Sequence, residues 1–185
     1  DQRTALTNRL QDVLKQYYPQ ALELLHENVH REINLALLKK WPNPTALKRC
    51  RDASFTAFFH AAGSRSAKRL QERLAVKHTV CSLTEDPELL AVWELELLSI
   101  VEQIRSLNAL IARHDRHIAE RFQQAHKADL FASLPGAGKT LAPRLLAAFC
   151  LYAPLCEKPA GLAALAGMAP VTEQSGKSPK VYRRM

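Results

Sequence analysis

Asp86-Pro87-Glu88-Leu89-Leu90-Ala91-Val92-Trp93-Glu94-Leu95-Glu96-Leu97-Leu98-Ser99-Ile100 opens the stretch on which the fold of this 185-residue chain turns. Asp86 is a side-chain acceptor placed to cap a helix, and Pro87 is pre-organised for the first helical position. From there Leu90, Trp93, Leu97, Ile100, Ile104, Leu107, Ile111, His114 and Ile118 recur in alternating steps of three and four. That is a heptad a/d stripe, and it predicts one helix from about Pro87 to Ala125. At 1.5 Å per residue such a helix spans roughly 60 Å. Two uses fit the stripe: a coiled coil or antiparallel helical hairpin, or a long helix packed on neighbours of its own chain. His114 and Arg121 fall on it and weaken its C-terminal end.

The pattern before this helix is also helical. Leu6, Leu10, Val13, Leu14 and Tyr17 mark a helix over Arg3 to Tyr17, interrupted at Pro19. Leu22, Leu25, Val29, Ile33 and Leu37 predict a continuous helix from Ala21 to Lys40, stopped by Trp41-Pro42-Asn43-Pro44. Thr45 is a candidate N-cap for a short helix from Ala46. Two more helices are expected, over Ala53 to Ala62, ended by Gly63, and over Ser66 to Lys77. Near His126-Lys127 the heptads vanish while glycine, alanine and proline rise, which places a boundary between a helical region (1–126) and a C-terminal domain (127–185). Strand signals are weak; Ala169 to Thr172 is the only short candidate. The fold class is therefore all-α.

Charge is unevenly spread. The net charge is +8, which favours polyanionic partners. Leu83 to Glu102 carries six acids and no base, whereas Gln174 to Met185 carries Lys177, Lys180, Arg183 and Arg184 and no acid. The basic excess is local, as expected where one end of a chain meets phosphate. No run of eighteen apolar residues exists, so no membrane span is expected. Cys50, Cys81, Cys150 and Cys156 form no close pair and read as reduced thiols of a cytoplasmic protein. No secretory leader is visible and residue 1 is Asp1, which suggests a fragment.

Three motifs bear on chemistry. Gly138-Lys139-Thr140 resembles the end of a P-loop, but the first glycine of that pattern is replaced by Ser133 and no β-branched strand precedes it. The same residues fit a helix-hairpin-helix better. Gly136 and Gly138 flank Ala137 in a tight turn, and Ala142 is the small residue early in the second helix. In that geometry bare backbone and the free N–H groups of the second helix face a phosphate, with Lys139 adding charge. The alternative is a glycine-rich turn that binds nothing. His26-Glu27-Asn28-Val29-His30 has the H-E-x-x-H form of a zinc site, but Arg31 beside it disfavours a cation and no third ligand stands at a recognised spacing. No metal ligand is assigned. Ser175 stands beside Gly176 with Lys177, Arg183 and Arg184 near it in sequence, a set able to supply a hydroxyl nucleophile and charge for a phosphorane if folding brings them together.

Taken in order, Leu134-Pro135-Gly136-Ala137-Gly138, Leu162-Ala163-Ala164-Leu165-Ala166-Gly167-Met168-Ala169-Pro170 and Gln174-Ser175-Gly176-Lys177 resemble the C-terminal domain of bacterial insertion-sequence transposases of family one-hundred-and-ten, the bridge-RNA-guided serine transposases. Leu38 to Leu47 is similar to that family's helical linker. The resemblance implies a DNA recombinase in which Ser175 is the nucleophile on the scissile phosphate. Gly136, Gly138, Lys139, Thr140, Lys177, Lys180, Arg183 and Arg184 would then meet nucleic acid. It further implies a structured guide RNA, a homo-oligomer formed through the helical region, and a divalent metal (Mg) in a RuvC-like domain. That domain has no counterpart here, and the chain stops soon after Arg184. The expectation is thus a transposase fragment, a helical linker followed by a truncated helix-hairpin-helix-type domain, with no cofactor of its own. A non-catalytic nucleic-acid-binding and dimerisation module is the alternative.

Overall fold

The computed structural model describes residues 2–25, 28–64, 66–155, 158–168, 170–176 and 178–183. The described elements are helical except for one β-hairpin: α1 (Gln2–Tyr17), α2 (Gln20–Leu25), α3 (Glu32–Lys40), α4 (Pro44–Arg49), α5 (Asp52–Ala61), α6 (Ala67–Thr79), α7 (Pro87–Gln124), α8 (Ala128–Ala132), α9 (Leu141–Tyr152), a 3₁₀ turn (Ala153–Leu155), α10 (Pro159–Leu165), β1 (Pro170–Ser175) and β2 (Ser178–Arg183). They form two compact units, residues 1–111 and 112–185, and α7 runs from one into the other. Among the described residues no helix is long and apolar enough to cross a membrane.

The first unit buries one core. Leu10, Leu14 and Tyr17 of α1, Leu24 of α2, Leu35 and Leu38 of α3, Phe55 and Phe59 of α5, and Leu97, Ile100 and Ile104 of α7 are nearly or fully removed from solvent. The stripe on α7 is what admits that helix to the core. Asp86 caps it, accepting from the Glu88 N–H at 2.9 Å, as the Asp-Pro pair predicts. The stripe is not covered along its whole length: Leu97, Ile100, Val101 and Ile104 are buried, whereas Ile111, His114 and Ile118 are exposed. Three acids of the run meet partners in this packing. Arg9 meets Glu96 at 2.5 Å, Asn43 donates to Glu94 at 2.8 Å, and Lys39 reaches Glu102 at 3.5 Å. Pairs this exposed contribute little stability each, but they match α7 to α1 and α3 in sign.

Two expectations are corrected. Residues 21–40 are not one helix, because α2 ends at Leu25 and α3 starts at Glu32. Asn34 explains the break: its Nδ2 donates to the carbonyls of Leu25 and Asn28, both at 2.8 Å, so the side chain supplies what a continuous helix would take from its own backbone. The cap of α4 is Asn43 rather than Thr45. Its Oδ1 accepts from the Ala46 N–H at 2.7 Å, and Pro44 takes the first helical position.

The two halves of the α7 stripe are expected to respond differently to charge. Ile104→Asp places a carboxylate in the first core and should cost on the order of 4 kcal/mol in thermal or urea unfolding. Ile111→Asp/Ile118→Asp should change stability by no more than about 0.5 kcal/mol while shifting sedimentation toward the monomer. An unchanged mass in the double variant would remove this part of the stripe as an association seam.

Candidate nucleic-acid interface

Unit 112–185 is built around the α8–α9 pair. Lys127 turns the chain into α8 with φ 69°, and its Nζ lies 5.7 Å from the Phe149 ring centroid. Phe131 of α8 meets Phe149 of α9 at 5.6 Å between ring centroids. Ala142, 2% exposed, lies between the helices with Leu146. The residue singled out as small is thus one that close helix packing requires.

The eight residues between these helices are tightly folded. Gly136 has φ +78°, a region that costs an L side chain roughly 1–2 kcal/mol. Ala137 N–H donates to Leu134 O and Gly138 N–H to Gly136 O, both at 3.0 Å. The Gly138 carbonyl then accepts from Leu141 and Ala142 N–H, both at 3.0 Å, and starts α9. Lys139 and Thr140 are exposed, Thr140 makes no side-chain cap, and the N–H groups of both find no acceptor among the described residues. Donors left over at a helix start, with no acid in the first turn of α9, suit an external anion.

After α10 the chain turns at Gly167. Met168 N–H reaches Ala163 O at 2.9 Å and Gly167 N–H reaches Ala164 O at 3.0 Å, the pair of bonds that closes a Schellman cap. The hairpin follows. β1 and β2 are antiparallel, in the register Ser175↔Ser178, Gln174↔Pro179, Glu173↔Lys180, Thr172↔Val181, Val171↔Tyr182 and Pro170↔Arg183. Of the expected strand Ala169–Thr172, Pro170 to Thr172 form the first half of β1 while Ala169 lies outside the described residues, and the partner β2 went unseen in the sequence. Gly176 occupies the first loop position with φ +62°, which both favoured two-residue hairpin turns require.

This register sorts the candidate residues. Ser175 is exposed at the last pair before the turn. By the two-residue period of a strand, Ser178 and Lys180 fall on its face. Arg183 pairs with Pro170 at the other end of the ladder, five residues or roughly 17 Å of strand away. Lys177 and Arg184 lie outside the described residues, as do His26 and Glu27 of the H-E-x-x-H match. His30 sits in the turn before α3 rather than on a helix. Among the described residues no group of three His, Cys, Asp or Glu side chains is arranged to hold a metal ion. Ser178 was not singled out in the sequence; Gly176, set between a candidate strand and the β-formers Val181 and Tyr182, is the signal that would have found it.

Residues 128–185, from α8 to the end of the chain, match the family model described as Transposase IS116/IS110/IS902 family. The chain is 29% identical, over 98% of its own length, to the insertion element IS116 uncharacterized 44.8 kDa protein of Streptomyces clavuligerus, of which it covers 45%. It is 28% identical over 89% of its length to the insertion element IS900 uncharacterized 42 kDa protein of Mycobacterium paratuberculosis, of which it covers 42%. The chain therefore spans less than half the length of these curated relatives. No solved structure matches it. The family matched over 128–185 is the one that the three motifs resemble.

If the α9 start meets phosphate, binding of duplex DNA by this chain should fall steeply with salt. Lys139→Ala should flatten the logarithmic salt slope by about one unit. Gly136→Ala should weaken binding through backbone strain without altering charge. Titrations by fluorescence anisotropy across salt concentrations check both; slopes identical to wild type in Lys139→Ala would remove this contact.

Proposed function

We propose that this chain is the helical linker and C-terminal segment of a DNA transposase, and that Ser175 is its nucleophile. The observation that carries the proposal is the position of Ser175. It is exposed at a hairpin tip beside Gly176, with Lys180 on its face of the ribbon, inside the segment that matches the transposase model. The Gly136–Thr140 turn grips the backbone without reading bases, because N–H groups and Lys139 recognise phosphate alone. Lys180 and Arg183 of β2, with Lys177 and Arg184 near them in sequence, add sequence-independent attraction.

In the cleavage step the Ser175 Oγ–phosphorus bond forms as the bond from phosphorus to the leaving sugar oxygen breaks. The hydroxyl proton goes to a base, and the leaving oxygen takes up a proton. A serine hydroxyl is a weak nucleophile at its ordinary pKa and needs activation. Among the described residues no group of three His, Cys, Asp or Glu side chains is arranged to hold a metal ion; the Mg that the resemblance implies would be held by the RuvC-like domain. A structured guide RNA and a homo-oligomer formed through α7 complete the assembly, which acts on DNA in the bacterial cytoplasm.

Ser175→Ala, placed in the protein that carries the upstream domain, should abolish strand exchange and leave DNA affinity within about twofold, since one hydroxyl adds little to backbone binding. Strand exchange retained in that variant would move the nucleophile elsewhere.

A further inference from the structure

The first unit holds a polar pocket of about 330 Å³ where the α2–α3 corner faces α6, lined by Asn28, Arg31 and Asn34 on one side and Arg69, Glu72 and Arg73 on the other. Arg73 is the unusual member. It is only 8% exposed, and its guanidinium stacks 4.2 Å from the centroid of Phe59. Among the described residues its buried Nε has no hydrogen-bond partner and no carboxylate lies within ion-pair distance of it. A buried cation without a counter-charge is costly, and stacking on Phe59 occupies the face of the guanidinium while leaving its edge to donate. The neighbours add to the demand. Arg31 and Arg69 are exposed at the rim, and Glu72 is the single acid among the described lining residues. Burial, and then the charge of Arg69, lowers the Arg73 pKa, with Glu72 acting in the opposite sense. Asn34 shows the same unmet polarity: with both Nδ2 hydrogens spent on Leu25 and Asn28, its buried Oδ1 finds no donor among the described residues. A hydrated anion meets both needs, an oxygen for Arg73 and a water hydrogen for Asn34.

We propose that this pocket binds one phosphate group of a nucleic-acid backbone, with Arg73 as the buried anchor and Arg31 and Arg69 closing on it from the rim. The choice of nucleic acid rests on the transposase function proposed above; the demand for a phosphate rests on the pocket alone. Three guanidiniums converging on one small polar cavity match a tetrahedral oxyanion, which arginine binds through paired N–H donors. The pocket gives the linker its own grip on the polymer, independent of the α8–α9 turn.

The test follows the Arg73 Nε–H signal by NMR in the full chain, assigned by its loss in Arg73→Lys. Three probes are compared: inorganic phosphate, a short single-stranded oligonucleotide, and the same oligonucleotide with an uncharged methylphosphonate backbone. The charged oligonucleotide should shift the signal and the methylphosphonate should not. Arg31→Ala/Arg69→Ala, two exposed substitutions with helicity checked by circular dichroism, should remove the shift and flatten the salt slope of binding by about one unit. Lys139→Ala should leave the shift in place. A signal that stays still while the chain binds oligonucleotide through Lys139 would overturn the pocket and leave the α9 contact standing. A shift with inorganic phosphate alone would make it a free-phosphate site and overturn the backbone assignment. A shift with the charged oligonucleotide in a chain whose binding ignores Lys139 would support the pocket and refute the α9 contact.

Discussion

Tyr17 is the joint on which the first unit depends. It is fully buried; its ring stacks on Trp93 of α7 at 6.3 Å and 6°, and its hydroxyl donates to the Pro42 carbonyl at 2.6 Å. One side chain thus ties α1 to α7 and to the proline-bounded corner between α3 and α4. Burial, followed by the nearby charge of Glu94, raises the phenol pKa above its usual range. The group therefore stays protonated and keeps donating at physiological pH. Losing the donor would leave a buried carbonyl without its partner, which is more costly than the bond itself is worth. With the corner held, Asn43 reaches both the α4 start and Glu94, and the central part of the α7 stripe has a core to enter.

The two units spend their charge in different ways. In the first, Arg9 of α1 and Lys39 of α3 pair with acids of α7, and Glu32 of α3 pairs with Arg105 of α7. Among the described residues, Arg73 and the arginines at its rim take no part in that matching. In the second, the α9 start has no acid, and β2 carries Lys180 and Arg183. Residues 112–185 carry 11 Lys and Arg against 5 Asp and Glu, so most of the net +8 lies in the second unit, the sign that phosphate contacts use.

Most helices were legible because local signals agreed with burial. Asp86-Pro87 opened α7 as expected, and α1, α5 and α6 fall within two residues of their expected bounds. The break between α2 and α3 was not legible, since the apolar spacing through Val29 is helical and Val29 is indeed buried. What ends the helix is a side chain nine residues after Leu25, a tertiary bond invisible to periodicity. The hairpin was hidden for a different reason. Pro179 argues against a strand, yet in a ribbon of two strands both are edges, and an edge tolerates it. The glycine turn and Ser175 were visible as residues; that Lys180 shares the face of Ser175 while Arg183 stands at the far end of the ladder needed the register. The Arg73 pocket left no sequence signal, because Arg31, Asn34 and Arg73 are brought together only by folding.

The proposed reaction makes one physical demand: a hydroxyl at the hairpin tip becomes bonded to DNA. The most direct measurement uses a duplex whose leaving oxygen at the scissile phosphate is replaced by sulfur, so that the cleaved intermediate cannot religate, together with the protein carrying its upstream domain. Digestion and tandem mass spectrometry of the trapped species then locate the nucleotide. The account predicts a nucleotide adduct on the peptide spanning β1 and β2, carried by Ser175. An adduct on any other residue, Ser178 included, or cleavage with no covalent intermediate, would contradict it.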